Sequence, residues 1–174
     1  MDAIFPIEPP LPRARFEVAR SAAAAWRGRC LDTFSRSEAA VTETLLILAA
    51  VDDRDPLLKL PHLVGQRYDA LAQAIGAGGA FAEEGKFAVT PLADFRKHDA
   101  LRTQISHGTF TVTIDHRGHW HLIVRVLALR TGRATRDLLV VEQTEAIAML
   151  EMLEKDGNRL RSVLGQLRHH FRKA

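Results

Sequence analysis

Arg102 and His107 are the residues whose types and spacing most directly suggest chemistry. They frame the segment Leu101-Arg102-Thr103-Gln104-Ile105-Ser106-His107-Gly108. Arginine is a permanent cation whose planar fork of donors matches a phosphate group. Histidine titrates near neutrality, so it can take a proton from a ribose 2′-hydroxyl or return one to a leaving oxygen. Together they could support cleavage of a phosphodiester without a metal, with the arginine also offsetting charge in the transition state. Their i, i+5 spacing sets them about 140° apart on a regular helix. They converge only if the helix end departs from regular geometry, or if two copies pool their side chains. The competing reading is an ordinary helix end, in which Arg102 pairs with Asp99 or another acid and His107 caps the last carbonyls.

Other groups could extend such a site. Lys97 and His98 stand just before the segment, inside the charged stretch Asp94 to Asp99, and could flank a phosphate path. His116, His119 and His121 follow it. His119 and His121 lie two apart on an expected strand and share a face, so with His116 they are candidates for a three-nitrogen metal site. Only Asp115 is at hand as a further local ligand, and a solvated hairpin face is the plainer expectation, with no metal or other cofactor. Arg117 and these histidines would otherwise enlarge an RNA-contacting surface, with Trp120 as a stacking platform. Trp120 alternates with the histidines, however, which points it toward the core. Glu38 or Glu43 could project into the bundle and orient His107, or serve as a helix cap and a surface carboxylate.

The elements that must position these groups follow from periodicity. Residues 1–12 contain Pro6, Pro9, Pro10 and Pro12 and read as an extended arm outside the core. Residues 13–174 read as one domain. Helical character runs from Arg13 to about Thr33 through the alanine-rich stretch Ala22 to Ala25. Ser35 and Glu38 have capping-box spacing, so a second helix is expected to begin there, with Val41, Leu45, Leu48 and Ala49 on one face. The run Asp52 to Pro56 should break it. A third helix is expected from about Leu57 or Pro61 to Ile75, then a glycine loop through Gly85. Thr90-Pro91 signals the start of a fourth, about 91–107, which would carry the Arg102–His107 segment. Gly108 would end it in the left-handed conformation.

The period then changes. Thr109 to Ile114 alternates like a half-buried strand. His116-Arg117-Gly118 is a turn in which glycine supplies a positive φ. Trp120, Leu122, Val124 and Val126 mark the returning strand. Thr131-Gly132 turns again, and Thr135 to Val141 reads as a third strand. Helical period resumes from about Glu142 to Phe171, with Gly157 as a point where this long helix could bend. The fold class is therefore mainly α: an up-and-down helical bundle with a three-stranded antiparallel meander, about 109–141, before the last helix.

The segment from Leu101 to Gly108 resembles the signature of the HEPN superfamily. That signature is an arginine, four to six residues, then a histidine often followed by glycine, late in an all-α bundle. Here the gap is four, the polar residue after the arginine is Thr103, and Gly108 follows. The resemblance implies a HEPN-like bundle acting as a homodimer with a composite cleft. It also implies metal-independent endoribonuclease activity carried by Arg102 and His107, with Thr103 toward the substrate. Many members act in toxin–antitoxin, phage-defence or RNA-processing systems, so an antitoxin is an expected partner. Others only bind RNA, a nucleotide or a protein. Two departures stand out. The family most often has asparagine where this chain has Thr103, and some toxin members have tyrosine where it has Thr109.

Composition sets the outer bounds. The chain has 174 residues, 47% hydrophobic and 26% charged, the balance of a globular protein. Its net charge is +3, but cations cluster: Arg117, Arg125, Arg130, Arg133 and Arg136 around the strands, and Arg159, Arg161, Arg168, Arg172 and Lys173 near the end. Such a tail could touch nucleic acid, or simply complement a helix dipole. The longest apolar run near Leu45 to Val51 is too short to span a bilayer. Met1 to Pro6 lacks the form of a signal peptide, and the single cysteine, Cys30, excludes an internal disulfide. A cytoplasmic protein with no membrane contact is expected. No Gly-rich phosphate loop, dinucleotide fingerprint or nucleophile elbow is present.

Overall fold

A computed structural model describes residues 13–51, 58, 60–130 and 133–173. The proline arm, the Asp52–Pro56 break and the Thr131-Gly132 turn lie outside the described residues. Among the described residues, five helices and three strands follow in the order α1 (Arg13–Ala49), α2 (Val64–Ile75), α3 (Ala82–Arg96), α4 (Asp99–His107), β1 (Thr109–Ile114), β2 (Trp120–Arg130), β3 (Arg133–Glu142) and α5 (Gln143–Lys173). The chain is thus mainly helical, with a three-stranded antiparallel sheet before the last helix. Among the described residues, no helix is long and apolar enough to cross a membrane.

α1 is a single helix of 37 residues, about 55 Å long. The expected break at Ser35 does not occur. Buried residues continue at three- and four-residue steps from Trp26 through Cys30, Phe34, Ser37 and Val41 to Leu45 and Leu48. A continuous buried stripe outweighs a local capping signal that has no glycine or proline to enforce it. Its hydroxyls are satisfied within the helix: Thr33 Oγ1 donates to the Arg29 carbonyl, Ser37 Oγ to Thr33 and Thr44 Oγ1 to Ala40. This back-bonding lets Thr33, Ser37 and Thr44 be buried without orphaned groups.

α5 is likewise unbroken and lies along α1 in the same direction. Trp26 Nε1 donates to the Ala146 carbonyl at 2.6 Å, Arg29 pairs with Glu154 at 2.8 Å, and Arg168 donates to the Ala40 carbonyl at 3.0 Å. Gly157 does not split α5. It packs against α1: a Cβ there would meet Thr33 Cγ2 at 3.0 Å and Ser37 Oγ at 3.2 Å.

The expected start at Thr90-Pro91 is also corrected. α3 begins at Ala82, with Glu83 and Glu84 favourably placed in its first turn, and runs through a buried Pro91. It ends at Arg96. The Lys97 and His98 amides then bond the Asp94 and Phe95 carbonyls in tight turns, and α4 starts afresh at Asp99. The segment of interest therefore occupies a nine-residue helix rather than the end of a seventeen-residue one.

The sheet order is β1-β2-β3, antiparallel throughout. Phe110, Val112 and Ile114 are half-buried while the intervening threonines are exposed. Trp120, Leu122, Val124 and Val126 of β2 and Val141 of β3 are buried in the core. Gly118 has φ 88°, the left-handed turn the sequence demands. Gly108 differs from expectation: its φ of −77° and ψ of 147° are ordinary extended values. Glycine is required for space instead, because a Cβ would overlap the Gln104 carbonyl oxygen and a Val124 methyl.

Candidate functional site

α4 is amphipathic, with Leu101 and Ile105 buried and Arg102, Thr103 and His107 on other faces. Two long-range contacts to α1 fix it. Arg102 Nε donates to Glu38 Oε1 at 2.5 Å, and Arg27 Nε donates to the Ile105 carbonyl at 3.0 Å. Arg27 also stacks over the Phe110 ring at 4.1 Å, tying α1 to α4 and β1 at once. Arg27 thus satisfies a carbonyl of the last α4 turn, a task expected of His107. His107 is left exposed at the helix end. The Gly108 amide closes that end on the Gln104 carbonyl at 2.8 Å.

Glu38 is therefore neither a helix cap nor an orienting partner for His107. It is the acid that Arg102 meets, with side-chain exposures of 20% and 30% respectively. Only Nε is engaged among the described residues, so the terminal nitrogens keep their donors. Both Arg102 and His107 belong to the regular turns of α4, so their i, i+5 offset sets them about 140° apart on that helix.

Around this pair the structure assembles groups that sequence spacing does not reveal. Arg96 pairs with Asp69 at 2.7 Å and with Asp99 at 3.8 Å. Burial holds the Asp99 carboxyl above its ordinary range, against the pull of Arg96 and Arg102. Tyr68 stacks on Phe95, with centroids 6.2 Å apart. Its hydroxyl is buried and makes no hydrogen bond among the described residues. Burial pushes the phenol upward, and the negative charges of Glu38 and Asp99 push it further. A signal existed for Tyr68, on the buried stripe of α2, but nothing in the sequence placed its hydroxyl beside Glu38 and Arg102.

The remaining candidates disperse. Thr103 Oγ1 donates back to the Asp99 carbonyl at 3.0 Å. Lys97 pairs with Asp94 at 2.7 Å, and this hydrogen bond holds the Asp94 carboxyl below its ordinary range. His98 lies mostly buried with Nε2 2.9 Å from Asp156 Oδ2, linking the α3–α4 elbow to α5. This pair ties the elbow to α5 from within. Arg117 and His116 are exposed beyond the far end of β1, which lies about 20 Å along the strand from Gly108. They do not extend a surface beside the segment.

At that turn, Asp115 Oδ1 accepts the Arg117 and His119 amides at 2.9 and 2.8 Å. Burial raises the Asp115 carboxyl, but these two hydrogen bonds, with the nearby His119 and His116, hold the group below its ordinary range. His119 Nδ1 lies 3.4 Å from Asp115, so Asp115 organises the turn. Among the described residues no group of three His, Cys, Asp or Glu side chains is arranged to hold a metal, His116, His119 and His121 included. Trp120 is buried with its ring centroid 6.4 Å from that of Trp26, so it offers no stacking platform. The basic end of α5 is partly consumed: Arg161 meets Ser37, Arg159 meets Asp94, and Arg168 meets Ala40, Thr44 and Glu43.

Comparison of the chain with protein-family models, with curated proteins and with solved structures finds no match to any of them.

Proposed function

We propose that the chain is a non-catalytic, HEPN-like dimeric module that binds RNA through phosphate contacts made by Arg102. The single observation that carries this reading is the Arg102–Glu38 pair. A carboxylate against the guanidinium cancels much of the field that a developing phosphorane charge would need. The unengaged terminal nitrogens can still grip a ground-state phosphate. The resemblance at Leu101 to Gly108 supplies the ligand class and a homodimer, and brings with it a protein partner such as an antitoxin; the single cysteine fits a cytoplasmic setting.

A second reading keeps the enzyme. It is a metal-independent endoribonuclease, of toxin or defence type, with Arg102 as the phosphate cation and His107 as the general base and acid. The observation favouring it is that His107 is exposed and Glu38 grips Arg102 by Nε alone. On this reading Glu38 aims the guanidinium, and a second copy supplies the missing half of the cleft.

One experiment separates the two. Purified protein is incubated with single-stranded RNA in EDTA, and binding and products are followed together. Saturable, salt-sensitive binding with intact RNA, weakened by Arg102→Ala and insensitive to His107→Ala, supports the binding module. Products ending in a 2′,3′-cyclic phosphate, abolished by either substitution, support the enzyme. Neither binding nor cleavage overturns both.

A further inference from the structure

β3 (Arg133–Glu142) is a ten-residue edge strand whose sole sheet neighbour among the described residues is β2. Edge strands are usually kept short, bulged or covered in proteins that stay monomeric. The face of the sheet turned away from the helices is unusually apolar near this edge. Leu138 is 63% exposed, Val140 51% and Leu127 69%. Arg136 and Glu142, both exposed, stand on the same face of β3 on either side of Leu138 and Val140. Neither is ion-paired to another described residue.

We propose that two copies of the chain pair through β3, antiparallel about a two-fold axis at Leu139, to form one six-stranded sheet. The sequence of the strand itself selects this register. A two-fold axis perpendicular to the sheet keeps each face continuous, so the register can shift only in steps that preserve side-chain alternation. Centred on Leu139, the exposed row reads Arg136 to Glu142 of the second copy, then Leu138 to Val140. The same two pairs repeat in reverse. Both apolar side chains meet apolar partners, and both charges meet their opposites. Centred on Leu138, Arg136 would face Val140. Centred on Val140, Leu138 would face Glu142. Centred on Asp137, Glu142 would have no strand partner. Along this exposed row the Leu139 register alone is self-complementary, as an isologous contact requires.

This inference does not rest on the RNA reading. The ends of α4 would lie about five strand spacings apart, roughly 24 Å, across the six-stranded sheet. The β3 contact therefore cannot itself build a composite cleft from Arg102 and His107, and its failure and that of the RNA reading are separable.

Sedimentation of the full chain tests it through charge exchange. Arg136→Glu and Glu142→Arg each replace two opposite-charge pairs by two like-charge pairs, and each should weaken the dimer at least about tenfold. An equimolar mixture of the two restores both pairs, so it should dimerise like the parent chain. Cysteine pairing checks the register. Mixed Leu138→Cys and Val140→Cys chains should form a disulfide on mild oxidation, because directly opposed Cα atoms fall within disulfide reach. Cys30 is buried and should not compete. A parent chain that stays monomeric overturns the proposal. So does a parent dimer that both charge variants retain, a mixture that fails to recover, or a mixture of cysteine chains that does not cross-link. A dimer indifferent to β3 but lost on substitution at α4 would place the contact at the Arg102 segment instead.

Discussion

Removing Glu38 should move stability and RNA affinity in opposite directions. The Arg102–Glu38 hydrogen bond is charge-assisted, and such bonds contribute about 1.5–3 kcal/mol. The pair is neither surface-exposed, where about 0–1 kcal/mol is typical, nor fully buried, where breaking one partner costs about 3–5 kcal/mol. With the two side chains 20% and 30% exposed, solvent screening pulls the value down to about 1.5 kcal/mol. Glu38→Ala should therefore lower Tm by about 3–6 °C for a chain of this size. A double-mutant cycle with Arg102→Ala, read by urea denaturation, should give a coupling of about 1 kcal/mol. The same loss frees the guanidinium. Glu38→Gln, which keeps the shape and removes the charge, should tighten RNA binding severalfold at low salt. It should also steepen the salt slope by about one phosphate contact. Additivity of the two substitutions within about 0.3 kcal/mol would show that the pair is not a working contact. RNA affinity falling in step with stability would refute the idea that Glu38 restrains Arg102.

Further outcomes follow from the packing. Gly108→Ala should cost at least about 2 kcal/mol, since the new Cβ overlaps the Gln104 carbonyl and Val124; an unchanged urea midpoint contradicts this. Trp26→Phe removes the 2.6 Å donation to the Ala146 carbonyl that ties α1 to the start of α5. It should cost about 1–3 kcal/mol by leaving that acceptor unsatisfied, and retention of the parent Tm would count against it. Burial, followed by the nearby Glu154 charge, pushes the Cys30 thiol up to about 12. Its folded value lies above the unfolded one, so the stability it contributes is complete below about pH 8.5 and is lost as pH rises toward 12. At pH 8 the native thiol should resist a disulfide reagent that labels it at once in guanidinium; rapid stoichiometric labelling of the native chain would overturn this.

The sheet was legible in the sequence because its determinants are local. Alternation in Thr109 to Ile114 and from Trp120 to Val126 needs only neighbours two residues away, and Gly118 announces its turn by backbone chemistry alone. The helical breaks were not legible for a related reason. Ser35 to Glu38 and Thr90-Pro91 carry genuine start signals, but a start signal acts only where the preceding residues have no better use. Phe34 and Ser37 continue a buried stripe, and Ala82 to Val89 form helix ahead of Pro91. In both places packing against α5 or α2 decided, and that information lies far along the chain.

The same division runs through the candidate site. That Arg102 would find an acid was readable; that the acid would be Glu38, 64 residues earlier, was not. The identity of the acid changes what α4 can do. Pairing with Asp99 would have kept the guanidinium on its own helix, as a surface ornament. Pairing with Glu38 makes it a strut between α4 and α1, beside a buried phenol and the Arg96–Asp99 pair. A strut is costly to move, so Arg102 cannot swing toward His107 without giving up part of the contact that holds α4 in place. Any phosphate must then come to the guanidinium where it stands. Cleavage would need a general base brought to that point from another chain, whereas binding needs nothing more. On these grounds we propose binding rather than cleavage, as the reading with the fewest added parts.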